Sequence, residues 1–184
     1  MEASDERLIE IVDTALAEAA RRSGEWLACK IGCAECCMGP FPISPLDAER
    51  LRRGLAELER RDPRRAARVK ERAAAYAAQI EDLEELIDGE TEMDDEPCPA
   101  LDPETGACDL YAARPLTCRT FGPPVRSSGD DIGVCALCFR GATDEQIAAC
   151  RVEIDIDELE AELLKRLPPG ETVVALALIG KRAE

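Results

Sequence analysis

The sequence predicts a mainly α fold, a helical scaffold joined to an irregular, cysteine-rich half of loops and a short hairpin. Apolar residues recur three and four positions apart over long stretches, the spacing of one buried helix face. Aromatic residues make up only 3% of the 184 residues, so the core must come from Leu, Ile, Val and Ala, and metal cross-links can supply part of the missing bulk. Between Pro97 and Gly141, prolines and glycines come at short intervals and no helical period outlasts a turn or two.

The first helix is expected over 5–23, with Leu8, Ile11, Val12, Ala15, Leu16 and Ala19 on one face, Ser4 as N-cap and Gly24 just past the end. A second, over 45–60, opens on Ser44-Pro45-Leu46-Asp47, which combines a capping-box arrangement with proline at the first helical position, and turns Leu51, Leu55 and Leu58 inward. Asp62-Pro63 restarts the pattern for a third helix over 63–88, reaching Ile80, Leu83, Leu86 and Ile87 before Gly89 stops it; it should pack against the second as an antiparallel pair. An acidic linker, Glu90 to Glu96, leads into the irregular region. There Asp102-Pro103-Glu104-Thr105-Gly106 lies between two short apolar stretches, a hairpin-like turn that brings Cys98 and Cys108 together. Helix resumes over 143–167, with Thr143 three residues ahead of Gln146 and Pro168-Pro169-Gly170 at its end. The last apolar run, Val173 to Ile179, reads equally as helix or strand. No internal repeat stands out, so 1–184 reads as a single domain.

Charge and targeting narrow the partners. Lys and Arg number 23 against 39 Asp and Glu, a formal net charge of −16, which repels phosphate backbones and argues against nucleic acid. Arg60, Arg61, Arg64, Arg65, Arg68, Lys70 and Arg72 crowd one stretch, interleaved with Asp62 and Glu71, and read as a solvated helix face. Met1 to Arg22 lacks both a basic n-region and an uninterrupted apolar h-region, so no signal peptide is expected. No apolar run approaches the roughly 20 residues needed to cross a bilayer. The expectation is a cytoplasmic protein that does not enter membranes, where cysteine clusters more often hold metal ions than disulfides.

Ten cysteines accompany no histidine, and Cys29, Cys33, Cys36 and Cys37 fall within nine residues, a ligand-rich loop built from thiols alone. Side chains of the adjacent pair Cys36-Cys37 diverge in an extended loop, which suggests two centres or one spare thiol. Cys135-Ala136-Leu137-Cys138 is open to three readings, a metal knuckle, a redox dithiol or two incidental thiols; the βαβ context of the redox dithiol is missing. Cys150, on a predicted helix beside Ala148 and Ala149, reads as a core residue. Cys29-x3-Cys33-x2-Cys36 has the spacing of the radical adenosylmethionine motif, but the residues after Cys37 read as helices without the alternating strands of the barrel which that chemistry uses.

Three segments together carry a resemblance: Gly32-Cys33-x-x-Cys36-Cys37; Cys98-Pro99-x-Leu101; and Cys108-x-Leu110-Tyr111-x-x-Arg114-Pro115-x-x-Cys118-Arg119-x-Phe121. The chain resembles the YkgJ-like cysteine-cluster family, the CxxCxxCC zinc- or iron-chelating domain, over about 29–138. The resemblance implies a metal- or Fe–S-binding module, and flagellin lysine-N-methylases carry a similar cysteine-rich domain, which raises an enzyme hypothesis. Nothing in this chain resembles a glycine-rich adenosylmethionine-binding segment. One departure is that three residues separate Cys29 from Cys33, where the family label implies two.

Thiolate tetrads suit iron and zinc alike. An all-sulfur set with more than four candidates favours a [4Fe-4S] cluster, with Zn2+ as the alternative, drawn from Cys29, Cys33, Cys36, Cys37, Cys98, Cys108, Cys118, Cys135 and Cys138. The expected cluster draws on Cys33, Cys36 or Cys37 together with Cys98, Cys108 and Cys118. Arg114 and Arg119 bracket Cys118 and read either as cofactor-binding residues that offset thiolate charge and donate to sulfur or as surface arginines beside a proline turn. These readings point to a redox, sensing or metal-handling role, with catalysis left open.

Overall fold

The computed structural model describes residues 2–30, 32–88, 93–127, 130–132, 134–155 and 157–180. In chain order the helices are α1 (Glu2–Ser23), α2 (Pro45–Arg61), α3 (Pro63–Ala77), α4 (Leu83–Asp88), α5 (Leu116–Thr120), α6 (Asp144–Cys150), α7 (Leu159–Leu164) and α8 (Val174–Leu178). Strands β1 (Val125–Ser127), β2 (Asp130–Ile132) and β3 (Val152–Ile154) form one small sheet, so the chain is mainly α as expected. Two compact units divide it, each combining an early and a late segment: Met1–Lys30 with Leu116–Leu167, and Ile31–Pro115 with Pro168–Glu184. No described helix is long and apolar enough to cross a membrane.

In the first unit, Leu8, Val12 and Ala19 of α1 are fully buried, and Asp5 and Ser23 extend the same buried stripe. Because α1 begins at Glu2, Ser4 lies inside the helix rather than capping it, while Gly24 follows the end at φ +50°. The stripe faces β3, α5, α6 and α7. In the sheet β1 is central, antiparallel to β2 and parallel to β3, with Val125 opposite both Ile132 and Val152.

The helix expected over 143–167 is three elements. Thr143 and Gln146 close a reciprocal capping box, with Thr143 N–H donating to Gln146 Oε1 at 2.8 Å, and α6 ends at Cys150. Val152 and Ile154 then alternate with exposed Glu153, a two-residue period whose buried, β-branched side chains favour strand. Asp155 turns the chain at φ +50° and its carboxylate accepts from the N–H groups of Leu159 and Glu160 at 2.8 and 2.9 Å, starting α7 afresh.

In the second unit, Ser44 Oγ accepts from Asp47 N–H at 3.1 Å at the start of α2, and Asp62 Oδ1 accepts from Arg65 N–H at 3.0 Å at the start of α3. The two helices pack together around that single linking residue, with Lys70 and Glu59 paired at 2.7 Å. Leu51, Leu55 and Leu58 of α2 meet Ala66, Val69 and Ala73 of α3 and Val174, Ala177 and Leu178 of α8 in one core. The helix expected over 63–88 breaks after Ala77, because Asp82 Oδ1 accepts from the N–H groups of Glu84 and Glu85 and caps α4 as a new start. Gly89 and the first part of the Glu90–Glu96 linker lie outside the described residues. The ambiguous last run divides: Thr172 pairs with Ile43 through two backbone hydrogen bonds of 2.8 and 3.1 Å, and helix α8 follows from Val174.

Candidate metal centre

The turn expected between Cys98 and Cys108 is present. Leu101 and Cys108 form an antiparallel bridge, Asp102 N–H donates to Ala107 O at 2.8 Å, and Asp109 N–H donates to Ala100 O at 2.7 Å. The backbone N–H of Ala100 faces the Cys98 sulfur, as does that of Leu101, which also donates to Cys98 O at 2.9 Å, and the N–H of Leu110 faces the Cys108 sulfur. Peptide donors aimed at sulfur from positions just downstream are suited to thiolate ligands, whose charge they share. Without an ion, burial dominates and pushes the Cys98 thiol up to about 12, with the Cys108 thiol displaced in the same direction.

A clamp that the sequence reading missed fixes this hairpin to α3. Asp109, whose side chain is 1% exposed, pairs with Arg65 and, at 2.6 Å, with Arg72; Arg72 also donates to Pro99 O at 2.9 Å. Arg65 and Arg72 therefore leave the expected solvated face, whereas Arg60, Arg61, Arg64, Arg68 and Lys70 are exposed as expected. Their seven-residue spacing, two turns along one helix face, was the available signal.

The cysteine loop runs beside the hairpin. At one end a Cβ on Gly106, at the hairpin tip, would stand 3.2 Å from Gly32 O, an approach that a side chain would crowd. At the other end Cys98 N–H donates to Cys37 O at 2.7 Å and Gly39 N–H donates to Glu96 O at 2.8 Å, around a bridge between Met38 and Pro97. Cys33, Cys36, Cys37, Cys98 and Cys108 thus belong to one unit. Cys36 and Cys37 sit in a 3-10 turn, not an extended strand of loop, and are hydrogen-bonded to each other; that bond, then burial, raises the Cys36 thiol. Arg114, stacked 3.9 Å from the Tyr111 ring centroid, lies close enough for its charge to oppose this rise at Cys36 and at Cys108.

The remaining expected ligands, Cys29, Cys118, Cys135 and Cys138, belong to the first unit. Cys29 Sγ lies 3.9 Å from Cys138 Sγ. Cys138 N–H donates to Cys135 O at 2.8 Å, so the CxxC forms a tight turn, and Cys135 N–H donates to Gly122 O at 3.4 Å, four residues beyond Cys118. A Cβ on Gly122 would come 2.8 Å from Cys29 Sγ. Phe139 N–H donates to Trp26 O at 2.9 Å and the two rings stack with centroids 6.5 Å apart, anchoring the Cys138 turn. Arg119 is buried and forms a two-pronged pair with Asp13 at 2.6 and 2.7 Å, tying α5 to α1. Cys150 is buried, its thiol donating to Arg22 O at 3.3 Å, in keeping with a core residue.

None of the ten cysteines is assigned to a disulfide. Among the described residues no three Cys, Asp or Glu side chains are gathered to hold one ion as they stand. The donor chemistry nevertheless fits a thiophilic metal. Zn–S bonds of about 2.3 Å set the edges of a tetrahedron at about 3.8 Å, close to the Cys29–Cys138 separation of 3.9 Å.

The family model for CxxCxxCC, "Putative zinc- or iron-chelating domain", matches residues 28–138, which includes every candidate ligand. The chain belongs to the CxxCxxCC family. Neither a curated protein nor a solved structure matches it. In this CxxCxxCC domain, Cys33, Cys36 and Cys37 carry the end of the signature, and the displaced Cys29 lies in the other unit.

Proposed function

We propose that this CxxCxxCC protein holds metal at two thiolate centres, one in each unit, and that the second unit carries an iron–sulfur cluster in a redox, sensing or metal-handling role. The observation that carries this reading is the hairpin, where peptide N–H groups already face Cys98 and Cys108 beside the Cys33–Cys37 loop. Cys33, Cys36 or Cys37, Cys98 and Cys108 are the ligands of that centre, with the other member of the adjacent pair as the spare thiol. When bound, such a cluster supplies one-electron chemistry. The protein's part is to orient the sulfurs by backbone donors and to balance their charge with Arg114. Closing the site takes rotation of the thiols from their present positions. A reducing, cytoplasmic setting suits ten cysteines outside any disulfide.

A second reading, a single Zn2+ or iron ion, is favoured for the first unit by the Cys29–Cys138 edge, with Cys118 and Cys135 completing the tetrad. Elemental analysis and the visible spectrum of anaerobically purified protein separate the two. Iron, inorganic sulfide and a broad sulfur-to-iron absorption that bleaches on reduction are expected; a colourless protein containing only zinc would replace the first reading with the second throughout.

A further inference from the structure

A water-sized cavity of about 10 Å³ adjoins the hairpin, lined by Gly39, Phe41, Tyr76, Cys98, Pro99 and Val173 among others. Tyr76, from α3, is 5% exposed, and its hydroxyl has no hydrogen-bond partner among the described residues. A buried, unpaired phenol is costly, and phenylalanine would fill the same space without that cost. Cys98 belongs to the same lining. A neutral thiol is a weak acceptor, whereas an ionised, metal-bound sulfur is a strong one.

We propose that the Tyr76 hydroxyl donates a hydrogen bond to Cys98 Sγ once that sulfur is ionised by metal, directly or through the single water the cavity admits. Tyr76 is then a positioning residue for the centre, acting through its ligand. This rests on Cys98 being a ligand, as proposed above. An uncharged phenol carries the proton it must donate. Arg72 also bears on Cys98 from α3, and its charge cooperates with the hydroxyl in stabilising the thiolate. The donated bond draws electron density from the sulfur and fixes its orientation, which raises metal retention.

The probe is Co(II), whose thiolate charge-transfer bands report on the sulfur whichever metal is native. Wild-type protein and Tyr76→Phe are titrated with Co(II), with far-UV circular dichroism confirming equal folding. Tyr76→Phe is expected to bind the same number of ions about tenfold more weakly, with the charge-transfer band moved to lower energy. Superimposable bands and affinities would overturn the proposal. Cys98→Ser distinguishes the layers: an unchanged Co(II) spectrum removes Cys98 as a ligand and Tyr76 with it, whereas a changed one beside a silent Tyr76→Phe removes the Tyr76 role alone.

Discussion

A thiol and a thiolate make opposite demands on one pocket, and Cys98 is where the conflict is sharpest. Burial favours its neutral form, while the N–H groups of Ala100 and Leu101 favour the anion that a metal would complete. Its folded-state value of about 12 lies above the ordinary 9.0, so the neutral thiol stabilises the fold fully below about pH 9, and that stability is lost as pH rises towards 12. Metal-free protein should therefore unfold at progressively lower urea concentration across this window, and Cys98→Val should lessen the dependence, with Cys36, Cys108 and Tyr76 supplying the rest; a pH-independent midpoint would remove burial as the controlling force. Gly122→Ala makes a second test, since its Cβ would meet Cys29 Sγ at 2.8 Å. The variant should lose metal from the first unit while the second retains its own. Where chemistry is local the sequence nominates candidates: motif and spacing single out nine cysteines and Arg114. Arg119 shows the limit, because its partner Asp13 is 106 positions away and nothing near Cys118 announces it.

Local signals also explain which elements were foreseen. Helix starts at Pro45, Pro63 and Asp144 were readable because a cap lies within three residues of the N–H it satisfies. Ser44→Ala should cost about 1 kcal/mol in urea unfolding of the metal-free protein. Breaks were harder to see. Asp82 and Asp155 occur inside apolar patterns that continue in helical register on paper, and only their carboxylates' bonds to downstream N–H groups restart the chain. The hairpin was legible from its turn residues, but its orientation depends on Asp109 and two arginines of α3. Asp109→Ala leaves those guanidiniums without their shared acceptor and should destabilise the metal-free protein by about 2 kcal/mol. It should also weaken metal binding in the second unit, checked by competition with a chromophoric chelator; unchanged affinity would make the clamp a stabilising feature alone.

At the scale of the whole molecule, each unit joins segments from both parts of the chain, and the ligand loop is divided between them after Lys30. Sequence proximity grouped Cys29 with Cys33, Cys36 and Cys37, and the shared motif grouped Cys118 with Cys108. The fold instead associates Cys29 with Cys138 at 3.9 Å and leaves Cys33, Cys36 and Cys37 with the hairpin. No local pattern could reveal that partition, because it follows from how Leu116–Leu167 returns to the first helix. The most direct measurement of two independent thiolate centres is metal content per chain in anaerobically purified wild type, Cys98→Ser, Cys138→Ser and the double variant. Each single substitution should remove its own share and leave the other intact, with the double variant empty. Metal content unchanged by either substitution, or abolished by each alone, would contradict two separate centres.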